Sequence, residues 1–397
     1  MVGPHAASQI CTIMVLNGAF VLMLGDFMFA KKNVVAAAAL TLVAVAAQAQ
    51  VTVYGNVDAS IGRKQVLGFD VNGNLSKTSS TNVDSSDLSE SFIGFKGQED
   101  LGGGLKALFK LESELGVDTG AAVGDTFWNR NATVGLAGAF GAVNLGRFEN
   151  LFKLESAQFN PFGTSATFSP STRLGLNKGT LAFLASDIIG APVNFGSTDG
   201  SWSNGVSYVS PNLGGLTLSV QTSLKESAGG NAANYAGGAT AVSANYTAGP
   251  LALSAVVGEI RSVSATPAAT PIKDKAFLLG ASYDFGVVKL FGQYGQDKLV
   301  AKATDGSVKP KFFQLGGSIP VSEAGSVLVS GGQTKVDLGV LDASVKTRDI
   351  SVGYNHNLSK RTSAYAAYIN ERTSASATGG SESETTNSFA VGVRHSF

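Results

Sequence analysis

The sequence is poor in cysteine, proline and charge. Its 397 residues include one cysteine, Cys11, together with 10 prolines and 3 histidines. A single thiol excludes an intramolecular disulfide, and a few distant histidines argue against a zinc site, so we expect no metal or other cofactor. Charged residues make up 15% of the chain, against roughly 25% in ordinary soluble proteins. The 29 basic and 29 acidic residues balance, which argues against a nucleic-acid partner because phosphate binding needs a basic face.

The N-terminal segment has the pattern of an export signal. Lys31 and Lys32 precede an apolar run at 34–47, which ends in the small-residue motif Ala47-Gln48-Ala49. A basic region, an apolar core and such a cleavage motif together indicate a secretory signal peptide. The predicted divisions are an upstream extension at 1–27 that initiation at Met28 would omit, a signal peptide at 28–49 and a mature chain at 50–397. The alternative for the first part is a membrane-anchoring helix over 10–28, close to the ~20 residues that span a bilayer.

Beyond Gln50 the dominant pattern is a two-residue alternation. No apolar run there approaches the roughly 18 residues of a transmembrane helix. An apolar face recurs along 216–224, 277–285 and 389–397, interrupted by Thr222 and His395. Strands with one apolar and one polar face suit either a soluble sandwich or a membrane barrel.

The connections between these strands alternate between short and long. The short ones carry glycine, proline or charged residues, as tight turns require, and lie at 99–104, 139–141, 211–215, 247–250, 284–286, 322–325 and 358–361. The long polar ones include 64–87, 225–238, 262–274 and 373–384. Short periplasmic turns and long external loops are typical of transmembrane barrels, in which a closed sheet pairs every backbone group within lipid. We therefore predict an all-β fold, a 16-stranded antiparallel transmembrane β-barrel around a water-filled channel.

Several segments resemble, in order, those of the general porins of Gram-negative outer membranes. They are the first strand at 51–58, the hairpins at 91–107 and 131–147, a third-loop motif of Asn160, Pro161, Phe162 and Gly163, the strand and turn at 206–211, and the ending at 392–397. The resemblance covers almost the whole chain after residue 50. It implies passive diffusion of ions and small hydrophilic solutes through the outer membrane.

The resemblance also implies an assembly and its surroundings. We expect a homotrimer that is exported through the periplasm and contacts outer-membrane lipids and lipopolysaccharide. Phe397 is expected to be the signal that the outer-membrane assembly machinery reads. The third loop, within the connection 149–202, is expected to fold into the barrel and narrow it, the alternative being an ordinary surface excursion.

The positions that set the constriction in the family depart from its usual pattern here. General porins usually place arginines on the wall opposite acidic groups of the third loop. This sequence has Phe92 at one such position and Trp202 within a residue of another, and it keeps the arginine of a Leu-Gly-Arg motif as Arg147. The resemblance therefore implies a weak transverse field and a more aromatic wall.

Further constriction candidates follow from the loop and from strand alternation. Asn160 stands where close relatives often have aspartate, so the acidic loop candidates are Glu149 and Glu155. Strand alternation also predicts that the side chains of Lys96, Lys110 and Glu112 point into the barrel. The same alternation puts Arg147 on the face of Leu145, so an inward Arg147 requires a bulge or a strand end near Gly146.

Two other functions are compatible with the sequence. Phe92 and Trp202 either pack against the inserted loop or form a stacking surface for a sugar or aromatic solute, which would make the channel substrate-selective. An outer-membrane barrel enzyme would need a histidine placed by a third group. His395 falls on the apolar face and His356 just before a predicted turn, so we predict no catalytic residues.

Overall fold

The computed structural model describes residues 50–69, 75–171, 200–225, 238–262, 272–301, 307–338, 342–377 and 380–397. The predicted upstream extension at 1–27 and signal peptide at 28–49 lie outside the described residues. The elements are β1 (Gln50–Phe69), β2 (Leu75–Ser85), β3 (Phe92–Gly102), β4 (Leu105–Gly116), β5 (Ala121–Ala122), β6 (Asn131–Gly138), β7 (Gly141–Glu149), α1 (Leu151–Gln158), β8 (Ser201–Val209), β9 (Leu216–Ser223), β10 (Ala239–Ala248), β11 (Leu251–Ser262), β12 (Ile272–Asp284), β13 (Lys289–Ala301), β14 (Ser307–Pro320), β15 (Gly325–Leu338), β16 (Ala343–Asn357), β17 (Thr362–Ala377) and β18 (Gly380–Ser396). No helix in the described part of the chain is long and apolar enough to cross a membrane.

The strands pair antiparallel with their neighbours around a closed ring of sixteen. β2 and β3 count as one member of the ring, because β1 pairs with β3 through its first half and with β2 through its second. β5 is a short addition to β4 outside the ring. The ring closes where β18 pairs with β1, and there Gly55 N donates to Phe397 O over 3.3 Å. The predicted 16-stranded barrel is therefore confirmed.

Alternation along each strand gives the barrel an apolar outside and a polar inside. On β18, Phe389 is 51% and Val391 55% exposed, whereas the intervening Ala390 is 1% exposed. The same contrast separates the exposed Val257 on β11 from Ser254 on its inner face. An apolar outer band facing lipid and a polar lumen are typical of a transmembrane barrel.

The seven predicted short turns all join consecutive strands of the ring. The long connections differ from the prediction at two places, because β1 and β2 continue as a hairpin through much of 64–87, and β17 and β18 through 373–384. The runs at 76–82 and 380–384 are polar on both faces, so the apolar alternation ends there although the backbone ladder does not. Most of 225–238 and 262–274 lies outside the described residues.

Candidate channel constriction

The third loop enters the barrel directly after β7 and begins with α1. Asn150 caps this helix, its side chain accepting a 2.8 Å hydrogen bond from Lys153 N, a common way to satisfy a free amide in the first turn. Gln221 on β9 ties the entry to the wall, since Leu151 N donates to its Oε1 over 3.0 Å and its Nε2 donates to Glu149 O over 3.0 Å. The predicted inward folding of the loop is confirmed.

Large side chains of the loop rest where the inner wall has glycine. A β-carbon built on the wall glycines would collide with or press against the loop residue above it, in the pairs Gly258 with Phe152, Gly280 with Phe159, Gly316 with Pro161 and Gly353 with Phe162. These glycines lie on β11, β12, β14 and β16. Glycine in a strand often marks a site of close approach, so the wall is shaped to receive the loop.

A valine in place of Gly280 is expected to dislodge the third loop. Its β-carbon would overlap the Phe159 ring, which is 1% exposed and has no room to move. Overpacking of this kind costs about 1–3 kcal/mol, so we expect a lower unfolding temperature and a larger, noisier single-channel conductance in planar bilayers. Gly317→Val is the matched control, since its nearest neighbour atom is 3.6 Å away. Equal conductance and stability in both variants would contradict the seating of the loop.

The predicted third-loop motif forms a tight turn at the far end of α1. Asn160 Oδ1 accepts from Phe162 N over 2.8 Å, and Asn160 Nδ2 donates to Gly163 O over 2.9 Å. Gly163 has a positive φ of 53°, which glycine adopts without strain. Phe162 is thereby buried against Tyr365 and Ile369 on β17, together with Phe168.

A second inward segment, 86–91, interrupts the wall between β2 and β3 and meets the third loop. Asp87 is 1% exposed, and its carboxylate accepts from Ser60 Oγ over 2.5 Å and from Thr167 Oγ1 over 2.6 Å. Lys64 Nζ lies 2.5 Å from the same carboxylate, and Ser165 Oγ donates to Asp87 O over 2.5 Å. Asp87 therefore links the wall strand β1 to the third loop.

Where the start of the third loop faces β3, β4 and β6, charged side chains form a compact network. Arg130, just before β6, contacts Glu90, lies 3.0 Å from Glu149 by its Nη2 atom, and has Nε 3.8 Å from Glu112. Lys153 of α1 lies 2.8 Å from Glu90 and 3.1 Å from Glu149. Burial lowers the pKa of the Lys153 ammonium, and the nearby Glu149 opposes that shift. We call Arg130, Lys153, Glu90, Glu112 and Glu149 the charge network.

Further wall residues extend the charge network toward β1. Lys110 Nζ lies 3.1 Å from Glu112, which also accepts a 2.6 Å hydrogen bond from Tyr54 OH and one from Asn131. The Lys96 ammonium lies 4.4 Å from the centre of the Tyr54 ring. Such cation–π contacts hold a cation without neutralising its charge.

The two predicted aromatic wall residues lie in different environments. The Arg130 guanidinium stacks over the Phe92 ring at 4.6 Å, so Phe92 borders the charge network. Trp202 is 0% exposed within an apolar cluster that includes Phe148, Leu151 and Phe152. Its ring therefore packs against the start of the third loop.

Glu155 and Arg147 lie apart from the charge network. Glu155 is bound by Asn245 Nδ2 over 2.6 Å and by Ser254 Oγ over 3.1 Å. Burial raises the pKa of the Glu155 carboxyl, and these hydrogen bonds oppose the shift. Arg147 donates to Asn129 O over 2.7 Å and to Ser203 Oγ over 2.6 Å.

The bulge that an inward Arg147 requires is present, but the strand register keeps Arg147 on the outer face of the barrel, the face of Leu145. The ladder shifts between Gly146 and Phe148, and Arg147 remains paired with Ala132, two positions from the exposed pair of Leu145 and Val134. A role for Arg147 in ion selectivity stays a prediction.

The structure thus brings together five of the eight predicted constriction residues. These are Phe92, Lys96, Lys110, Glu112 and Glu149. Sequence reasoning missed Arg130, Lys153 and Glu90. Glu149 ends β7 and Lys153 lies on α1, so their four-residue spacing is not a helical repeat and gave no signal.

Comparison with known proteins agrees with the fold. The sequence model of the Gram-negative porin family matches residues 36–376. The chain belongs to this family. This porin is 32% identical to outer membrane porin protein 32 of Delftia acidovorans over 92% of its own length and 100% of the relative. It is 29% identical to an outer membrane porin protein of Bordetella pertussis, again over 92% and 100% of the two chains.

A solved structure gives the same result. The anion-selective porin from Comamonas acidovorans superposes with a TM-score of 0.70 at 29% identity, covering 88% of this chain and 100% of that one. The protein is an outer-membrane porin, as the sequence predicted.

Proposed function

We propose that this porin is a passive, non-catalytic channel for ions and small hydrophilic solutes, that it prefers anions, and that it works as a homotrimer. Family membership supports the trimer, and the similarity to an anion-selective porin supports the preference. The two histidines past residue 50 support the absence of catalysis. His356 lies 3.1 Å from Tyr354 OH and His395 2.9 Å from Thr362 Oγ1, and among the described residues neither ring has a hydrogen bond or ion pair to a carboxylate that would orient it.

The observation that carries the anion preference is a basic recess in the lumen. It is about 550 Å³ in volume and contains Lys96 and Lys110 but no carboxylate among its described lining residues. The two lysines are direct cross-strand partners on β3 and β4. Lys110 is partly neutralised by Glu112, whereas Lys96 contacts only the Tyr54 ring among the charged and aromatic groups described. Two neighbouring cations that share a single acidic partner leave an excess of positive charge, which attracts anions along this wall.

The reversal potential in planar bilayers under a potassium chloride gradient tests this proposal. The wild-type channel is expected to show anion preference, and Lys96→Gln/Lys110→Gln to reduce the anion-to-cation permeability ratio several-fold. The matched control is Lys77→Gln/Lys225→Gln, which removes the same charge at two exposed positions outside the recess. Only charges within about a Debye length of the bottleneck, ~8 Å, are expected to affect selectivity. A wild-type channel that prefers cations, or a double variant with unchanged selectivity, would overturn the proposal.

The same recordings distinguish passive diffusion from a substrate-selective channel. Current through a passive pore rises in proportion to salt concentration, whereas a selective site saturates. Among the two aromatic candidates for a solute site, Trp202 is fully buried and Phe92 is covered by Arg130. These contacts favour the passive channel.

A further inference from the structure

A polar cleft lies at the periplasmic end of the lumen, where the short turns are. It is about 360 Å³ in volume and is bordered by the first half of β1, the turn between β16 and β17, and the end of β18. We call it the mouth cleft, and its described charged lining residues are Glu90, Arg130, Lys360, Arg361 and Arg394. Glu90 and Arg130 belong to the charge network, so the cleft extends from the constriction to the periplasmic mouth.

The mouth cleft has an excess of positive charge. Glu90 is the one acidic side chain among its described lining residues, and it is already paired within the charge network. No described residue forms an ion pair with the other three cations of the cleft, which are Lys360, Arg361 and Arg394. Cations without a fixed counter-charge in a concave site attract an anion.

Strand register places Arg394 inside the barrel. It is paired across strands with Ser363 on β17 and Asp58 on β1, which are 3% and 0% exposed. The Asp58 carboxylate forms no ion pair with Arg394, because it accepts hydrogen bonds from Tyr365 OH and from two backbone amides of the segment 86–91. Ser363 also lines the cleft, and its buried Oγ has no hydrogen-bond partner in the described part of the chain. Buried polar groups are rarely left without a partner.

Hydrogen bonds fix the backbone that carries Arg361. Ser359 Oγ accepts from Arg361 N over 3.1 Å and from Thr362 N over 3.0 Å, which closes the turn between β16 and β17. Ser396 N donates to Arg361 O over 2.8 Å, so the turn is joined to β18 two residues beyond Arg394. The two arginines therefore project from a single hydrogen-bonded frame.

The uncharged lining of the mouth cleft is rich in hydroxyl and amide groups. Six of its described lining residues are serine or threonine, among them Ser89 and Thr164 of the third loop, and two are asparagine, Asn56 and Asn357. Asn56 is 8% exposed, and its Nδ2 donates to Ser89 Oγ over 2.9 Å while its Oδ1 accepts from Ser396 Oγ over 3.1 Å. Groups that both donate and accept hydrogen bonds suit the hydroxyl groups of a sugar.

From this lining we propose that the mouth cleft is a binding site for small sugar phosphates. A phosphate monoester has close to two negative charges at pH 7 and three terminal oxygens, which matches several cations better than a single carboxylate does. Arginine binds phosphate through two parallel hydrogen bonds, so Arg361 and Arg394 hold the phosphate and Lys360 adds a third positive charge. The hydroxyl and amide groups hold the sugar. The site rests on the proposed solute channel and adds a class of solute that it retains before release into the periplasm.

Isothermal titration calorimetry of the purified protein with glucose 6-phosphate tests the site. We expect the wild type to bind in the millimolar range, because a channel site must also let its solute leave. Arg361→Gln/Arg394→Gln is expected to bind about tenfold more weakly, since its two charge-assisted contacts are gone. Its unfolding temperature is expected to match the wild type because no ion pair is lost. The matched control, Lys106→Gln/Lys289→Gln, removes the same charge at the periplasmic end outside the cleft and is expected to bind as the wild type does.

Three further probes identify the group that is bound. Glucose is expected to give no detectable binding, and inorganic phosphate and citrate to bind more weakly than glucose 6-phosphate. The proposal would be overturned if the wild type bound no glucose 6-phosphate, if Arg361→Gln/Arg394→Gln bound it equally well, or if any of the three probes bound as tightly.

A variant of the lumen recess separates this site from the proposed anion preference. Lys96→Gln/Lys110→Gln is expected to lose anion preference in planar bilayers but to bind glucose 6-phosphate as the wild type does, because neither lysine lines the mouth cleft. Reversal potentials therefore test the channel, and calorimetry tests the cleft. Loss of glucose 6-phosphate binding in this variant would contradict the location of the site.

Discussion

Replacing Arg130 with alanine is expected to lower the anion-to-cation permeability ratio measured by the reversal potential, and to lower the unfolding temperature of the barrel. Arg130 contacts Glu90 and Glu149 and approaches Glu112. Its side chain is 10% exposed, and removing one partner of a buried ion pair costs about 3–5 kcal/mol because the other charge stays unpaired. Lys153 still serves Glu90 and Glu149 in the variant, so we expect the lower end of that range. The measurements are planar-bilayer reversal potential and heat-induced unfolding.

Three variants separate charge from packing at Arg130. Arg130→Lys is expected to keep most of the selectivity and to lose part of the stability, since lysine cannot serve several carboxylates in the planar geometry of a guanidinium. Arg130→Ala/Glu149→Gln is expected to recover toward the wild type because one unpaired carboxylate is gone. The exposed Arg63→Ala is expected to behave as the wild type. If Arg130→Ala had wild-type selectivity, the charge network would have no part in the constriction.

Strand-borne candidates could be predicted from the sequence because alternation fixes their face. The outward Phe95 on β3 places its neighbour Lys96 in the lumen. The outward Leu111 on β4 does the same for its two neighbours, Lys110 and Glu112. The short turns were equally readable, because glycine, proline and charge mark them locally. The fold followed from these two signals together with the order of the motifs.

Arg130, Glu90 and Lys153 could not be predicted in the same way because none of them lies on a barrel strand. Arg130 precedes β6, Glu90 belongs to the inward segment 86–91, and Lys153 is on α1. Their contact depends on how two loops fold into the barrel, and the periodicity of the sequence does not predict loop conformation. Phe92 is an example. The sequence predicted an aromatic residue in place of a wall arginine there, whereas in the structure the Arg130 guanidinium stacks over the Phe92 ring.

Replacing Asp87 with alanine is expected to free the third loop from the wall. The variant loses the acceptor for Ser60 and Thr167 and one of the two carboxylates near Lys64. Hydrogen bonds to a buried charged group contribute about 1.5–3 kcal/mol. We therefore expect a lower unfolding temperature and frequent conductance fluctuations in single-channel records, because the loop would lose its link to β1.

The control for Asp87 is the second carboxylate on Lys64. Asp84 lies 3.2 Å from Lys64 Nζ but touches no described residue of the third loop, so Asp84→Ala is expected to keep steady single-channel currents although it removes the same charge. Asp87→Asn retains an acceptor for Thr167 and is expected to lie between the wild type and Asp87→Ala. Steady currents in Asp87→Ala would mean that the wall glycines and the Phe152, Phe159 and Phe162 contacts hold the loop without this link.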